Sequence, residues 1–456
     1  MRRALVFAVL CSSISVSILF FSSCTKESLP LTYPETPSGG GSTDTTVVKD
    51  TSKVDTTTTT PPPPTTPPSG RVLEVGSGSG NLTIDGDNLT INGAKITFQN
   101  GDLVKIKGGA YNAITIRNIS VPSNGARVTF INDGQITFNG GKLMNLANLN
   151  NVTVSGAGQS SNDRGISFTN SSYRAIMLSG TINNFTLQNM RFSNVSDYVI
   201  SYVDLKSMVY NGSASSYAYN LAFLNIDADN VGPLFFFGGD VSSNSFIGLI
   251  KKLEIANVTC INSPSPGSVV SVGNVEDFSI HDNRIDNINT RNDNHNGVFF
   301  ARGNGKFYNN VVTNHEGNAL RLWLYSVEGT KTCEIYNNIV YNSRKYSGFE
   351  IQVTPYIKAS SVFKPANAKV YNNTVGKMNT DRMSFPGRLL DYYNTYGTLE
   401  LYNNLTFNNN DAIIVNDMSS GGYLRNDNNI YMSSEWSAVD NLINFTSKIA
   451  GVGASL

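Results

Sequence analysis

Four stretches decide the fold: KFYNNVV (Lys306–Val312), CEIYNNIV (Cys333–Val340), KVYNNTV (Lys369–Val375) and LELYNNLTF (Leu399–Phe407). Each alternates apolar and polar residues, which is the period of a strand. Each then reaches an Asn pair, with an apolar residue at the first or second position after it. Asn tolerates left-handed backbone, so the pair reads as a tight turn between two strands. Fainter copies lie upstream, in LEIANVT (Leu253–Thr259), FSIHDNRI (Phe278–Ile285), FTLQNMRF (Phe185–Phe192), ITIRNIS (Ile114–Ser120) and LTING (Leu89–Gly93). Asn428 and Asn429 continue the series downstream.

There are roughly twelve copies, about 25 to 38 residues apart, a spacing typical of solenoid repeats. A second short apolar strand follows many of them: GVFFAR (Gly297–Arg302), ALRLWL (Ala319–Leu324), FEIQV (Phe349–Val353) and AIIVN (Ala412–Asn416). No stretch of this region keeps a helical period, so a sheet built from βαβ units is excluded. A propeller blade needs four strands and a longer repeat. The remaining solution is all-β: a single-stranded parallel β-helix of about twelve coils, each stacked about 4.8 Å above the last.

Composition agrees. Asn supplies 57 of the 456 residues and Gly 40, both poor inside helices. The 34 basic and 34 acidic side chains cancel, which removes the electrostatic footprint of a nucleic-acid binder. Three His and four Cys leave little for a zinc cage. Cys260 and Cys333 occupy different positions in their repeats and are expected to be free and buried.

Three segments follow. Residues 1–23 read as a secretory signal, with Arg2 and Arg3 before an apolar, Ser-rich run. Residues 24–70 form a Thr/Pro-rich tether with too few apolar residues to fold. Residues 71–456 carry the repeats. Small residues directly before Cys24 resemble a bacterial lipobox, and that resemblance implies acylation of Cys24 and a lipid anchor in the outer membrane, at the cell surface.

The repeat region resembles the right-handed parallel β-helix proteins of the pectate-lyase-like superfamily over nearly all of Arg71–Leu456. The resemblance implies a partner: a polysaccharide or cell-surface glycan lying in a groove outside the stacked strands. Family members are mostly polysaccharide lyases and glycoside hydrolases, with some adhesins and structural proteins. Of the polygalacturonase-type motifs only NTD (Asn379–Asp381) occurs, and the two lyase-type signatures sought, an Arg-x-Pro-x-x-Arg strand and a strand ending in Arg-His-Gly, are absent.

Charged and aromatic residues concentrate in NHEGNALRLW (Asn314–Trp323) and NSRKYSGFEIQ (Asn342–Gln352). Removing the proton beside a uronate carboxylate needs a cation on that carboxylate and a base of lowered pKa. Arg321, Lys345, Glu350 and His315 are the candidate catalytic residues. Trp323, Arg302, Arg344, Arg388, Tyr392 and Gln352 are candidates for holding sugar. No metal ligand is assigned. Calcium would find oxygen donors in NIDADN (Asn225–Asn230) and HDNRIDNINTRNDN (His281–Asn294), although neither has EF-hand spacing. Two readings stand side by side: a surface polysaccharide lyase, or a non-catalytic β-helix that binds glycan, adheres or serves as structure. Apart from a short apolar stretch after Trp436, no element is evident that would close the last coil.

Overall fold

Alternating strands joined by Asn turns wind the chain into coils, so that each strand pairs with its counterpart one repeat later. A computed structural model describes residues 70–242, 245–358, 360–393, 395–418 and 423–456. The expected signal segment, Cys24 and the tether up to residue 69 lie outside the described residues. One face begins with Val72–Val75 beside Leu103–Ser120 and passes through successive parallel partners to Leu399–Tyr402 and Tyr423–Asp427. A second face, just past each Asn pair, stacks Arg284–Ile288, Val311–His315, Ile339–Ser343, Thr374–Gly376, Leu405–Phe407 and Ile430–Met432. A third stacks Ile200–Tyr202, Phe235–Phe237, the start of Val270–His281, the start of Gly297–Tyr308, Asn318–Leu324, Phe349–Gln352, Leu390–Tyr393 and Val415–Met418. This is the parallel β-helix that the repeats predict.

Inward positions align from coil to coil. Ile255, Ile280, Phe307, Ile335, Val370 and Leu401 are register partners in one column, and all are fully buried. Cys260 and Cys333 sit in this core as free thiols.

The YNN motif divides its labour residue by residue. The Tyr rings of 308, 336, 371 and 402 stack outside the first face with centroids 4.9, 5.0 and 5.0 Å apart. The first Asn of each pair takes the left-handed turn conformation, with φ of 56° at Asn309 and 55° at Asn337. The second Asn turns inward and forms a ladder, buried through Asn283, Asn310, Asn338, Asn373 and Asn404 and ending at half-buried Asn429. Asn338 shows the pattern: its Oδ1 accepts from the backbone N–H and the Nδ2 of Asn310, both at 3.0 Å. Its Nδ2 donates to Asn373 Oδ1 and to the carbonyl of Phe307, both at 2.9 Å. Strand carbonyls and amides at the corner point away from the sheet ladders, so without these side chains they would be buried and unpaired.

The chain after Met432 packs on Ile430 and Met432 of the last coil. It runs back along the second face, where Ala438, Val439, Phe445, Val452 and Ala454 bury against Ile339, Tyr341, Leu405 and Phe407. Backbone bonds from Ala454 to Thr374 Oγ1 and from Ser455 to Asn337 Oδ1 hold it there. In the last coil Asn426 takes the register position opposite Leu401, and Leu424 is 69% exposed. Polar residues at formerly apolar register positions thus end the core.

The ladder gives two contrasting expectations, measurable by thermal or urea unfolding. Asn338→Leu leaves the Asn310 donors and the Phe307 carbonyl unpaired and is expected to cost about 3 kcal/mol or more. Asn309→Gly keeps the turn conformation and is expected to cost about 1 kcal/mol or less. Equal losses would contradict the division of labour.

Candidate functional site

Strand alternation sends every second residue of the third face outward. Four neighbouring strands therefore build two outer columns by register: Phe300, Arg321, Glu350 and Asp391 in one, and Arg302, Trp323, Gln352 and Tyr393 in the other. Gly297 makes room for this array, since a Cβ there would meet the Arg321 Cβ at 2.5 Å.

Glu350 is the electrostatic centre, and it is only 2% exposed. Its Oε1 accepts from Arg321 Nε at 2.7 Å and from Gln352 Nε2 at 2.8 Å, while its Oε2 lies 2.8 Å from His295 Nε2. Burial alone would raise this carboxyl, but His295 and Arg321 outweigh it and hold it at about 2. Arg321 also donates from Nη1 to the His295 carbonyl at 2.9 Å, so one guanidinium fixes both partners. His295 stacks on Tyr346 at 4.1 Å, and Tyr346 packs on Phe385 at 4.7 Å, closing this end of the face.

One coil further, Asp391 behaves oppositely. Burial, followed by the nearby Glu350 charge, lifts it to about 6 against the pull of Ser347 and Arg388. Its Oδ1 is buried and has no hydrogen-bond partner. Two stacked carboxyls with widely separated pKa values are the usual signature of assigned acid and base roles. The other end of the face is aromatic and cationic: Phe300 meets Trp323 edge-on at 5.4 Å, and Arg302 lies 4.9 Å over the Trp323 ring.

The remaining sequence candidates lie off this outer array. Tyr392 is fully buried in the core, because the outward residues of LDYY are Asp391 and Tyr393. A one-residue error of parity exchanges the two faces of a strand. His315 is likewise an inward residue, 1% exposed; burial lowers it to about 4 and keeps it neutral at pH 7. Lys345, only 8% exposed, pairs with Asp293 at 3.2 Å. Arg344 clamps two loops, donating to the carbonyls of Asn289 and Asn292 and to Asp293 and Asp381. Arg388 is held by Asp411 at 2.6 Å. The face therefore unites Arg321, Glu350, Gln352, Trp323 and Arg302, whereas Arg344 and Lys345 lie in the adjoining turn and His315 ends the second-face strand Val311–His315. Sequence reasoning overlooked Asp391 and Phe300, although counting alternation from Leu390 and Phe299 would have found both.

The oxygen-rich stretches do not fit calcium. Asp227 faces Arg164 and Arg191, Asp286 accepts from Thr313 and Asn314, and Asp293 is taken by Arg344 and Lys345. Among the described residues no group of three or more His, Cys, Asp or Glu side chains is arranged to hold a metal.

No family model matches the chain, and no curated protein matches it. Among solved structures, the crystal structure of the pectate lyase Pel9A is similar at a TM-score of 0.35 and 11% identity, covering 83% of this chain and 88% of that one.

The two carboxyls make opposite pH expectations. The lowered Glu350 contributes stability above its ordinary value near 4.5, and that contribution is lost as pH falls through about 2. Glu350→Gln is expected to cost about 3 kcal/mol at pH 7 and much less near pH 2.5. The raised Asp391 favours folding below its ordinary value near 3.8, and the advantage is lost as pH rises through about 6. Asp391→Asn is expected to stabilise by up to about 3 kcal/mol at pH 8 and to be nearly neutral at pH 4. Denaturation curves across this range check both signs.

Proposed function

We propose that this protein is a lipid-anchored, extracytoplasmic β-helix that binds a polysaccharide along its third face. The observation that carries this reading is the outer array of Phe300, Trp323, Arg302 and Arg321, half-buried aromatics with guanidinium groups against them. Aromatic faces take sugar rings, and cations take carboxylates or hydroxyls. The tether and the acylated Cys24 would display this face outside the cell.

Cleavage of a uronate-containing chain is a second reading, and the Glu350–Asp391 pair supports it. The lyase assignment made from sequence needs a cation and a base with open valences. Arg321 is engaged by Glu350 and Lys345 by Asp293, whereas Asp391 keeps a buried oxygen without a hydrogen-bond partner and a carboxyl that burial raises to about 6. Asp391 is then the residue to move a proton, with Glu350 orienting Arg321.

Purified protein should be retained on at least one of immobilised alginate, pectin or glycosaminoglycan, and Trp323→Ala should weaken that retention by about tenfold, as loss of a central aromatic contact does. If every polymer passes unbound, the glycan reading fails. Ultraviolet detection of unsaturated uronate, present with the parent chain and absent with Asp391→Asn, separates cleavage from binding. Cys24→Ser should move the protein from the membrane fraction to the soluble one.

A further inference from the structure

The outer column of the third face does not stop at Phe300. Register carries it back through Ser271 to Phe236 and Ser201. Large and small side chains alternate there, with Phe236 and Phe300 two coils apart and Ser271 between them. Around Phe236 a second group repeats the chemistry of the Trp323 end. Tyr198 stacks on Phe236 with centroids 4.3 Å apart. The Arg174 guanidinium lies 5.5 Å from the Tyr198 ring and 5.8 Å from that of Tyr173, and Lys206 Nζ lies 6.0 Å from Phe236. Tyr173 is 45% exposed, so the cluster reaches solvent.

Its charges are incompletely satisfied from within. Arg174 Nε is 3.6 Å from Asp197 Oδ2, too long for the charge-assisted bond that such pairs form at about 2.7 to 2.9 Å, and this buried nitrogen has no hydrogen-bond partner. Asp204, two residues before Lys206, accepts from the backbone N–H of Gly180. Lys206 forms no ion pair among the described residues. Rings flanked by an under-used guanidinium and an open ammonium suit a sugar that carries its own carboxylate.

We infer that Arg174, Tyr198, Lys206 and Phe236 form a remote subsite for a uronate residue of the same polysaccharide chain. Four register steps separate Phe236 from Glu350, about 19 Å at about 4.8 Å per coil. One extended chain along the column would meet both sites, so the protein would bind long acidic polymers far better than short ones. Two linked contacts multiply affinity only when the ligand can span them. The inference rests on the glycan reading of the third face.

The test compares intact polygalacturonate, alginate and hyaluronate, the trisaccharide of each, and neutral xylan. Binding is measured by calorimetry to the wild-type protein, to Arg174→Gln/Phe236→Ser, to Lys206→Glu and to Trp323→Ala. For an acidic polymer that binds, the double variant and Lys206→Glu should each lose about tenfold in affinity, while the trisaccharide is bound equally by both and by the wild type. Trp323→Ala should weaken polymer and trisaccharide alike. Unchanged polymer affinity in both remote variants, with Trp323→Ala impaired, overturns the subsite and leaves the glycan reading standing. Xylan bound with the same dependence on Lys206 overturns the acidic assignment. No binding by any polymer overturns the subsite together with the reading on which it rests. Lys206 is an exposed side chain, so its reversal tests the site even if the double variant unfolds.

Discussion

The turn after each first-face strand must be identical from coil to coil, and the rest of the structure depends on that constraint. A parallel strand can pair with its neighbour only if each coil returns to the same register. At this corner the chain bends sharply, and its amides and carbonyls cannot all join the sheets. The inward Asn residues from Asn283 to Asn404 meet the need: each side chain accepts from the coil before and donates to the coil after, and Asn429 ends the series as acceptor. An amide is the side chain with donor and acceptor spaced to do both. Because the bond partners are copies of the same residue, an error at one coil would propagate to its neighbours.

Once the register is locked, function follows from position along the strands. The three faces carry different outward chemistry. The first bears stacked Tyr rings and paired charges such as Lys306 with Glu334 and Lys369 with Glu400. The second is overlaid by the chain beyond Met432. The third is flanked by loops of unequal length, which shield Glu350 and Asp391 while leaving Phe300, Arg302, Arg321 and Trp323 half-exposed. A carboxylate as buried as Glu350 persists only with several partners, and His295, Arg321 and Gln352 come from three different coils. That arrangement makes the face rigid at its charged end.

The stacked architecture was legible because its cause is local and repeated. YNN states a strand, a left-handed turn residue and an inward amide within a few positions, and repetition removes ambiguity. The pairing of Arg321 with Glu350 was legible for the same reason, as alternation in ALRLWL and FEIQV needs no loop geometry. Tyr392 shows the limit. Two Tyr residues follow Asp391, and only the register against Phe349–Gln352 decides which of them faces the core. His295 was equally obscure: it lies in a polar stretch with no period, and its bond to Glu350 exists because a loop from the preceding coils folds over the face.

Taken alone, the sequence determined the strands, the turns, the inward columns and the neighbours stacked one repeat apart. Each of these follows from short-range sterics and from hydrogen-bond needs that recur in every coil. Tertiary structure decided which charges are answered. Lys345 and Arg344 were drawn to Asp293 and Asp381, Arg321 and His295 to Glu350, and Asp391 was left with an unpartnered oxygen. The strength of an ionic contact depends on burial and on partners brought from distant loops, and neither is written in the spacing of residues.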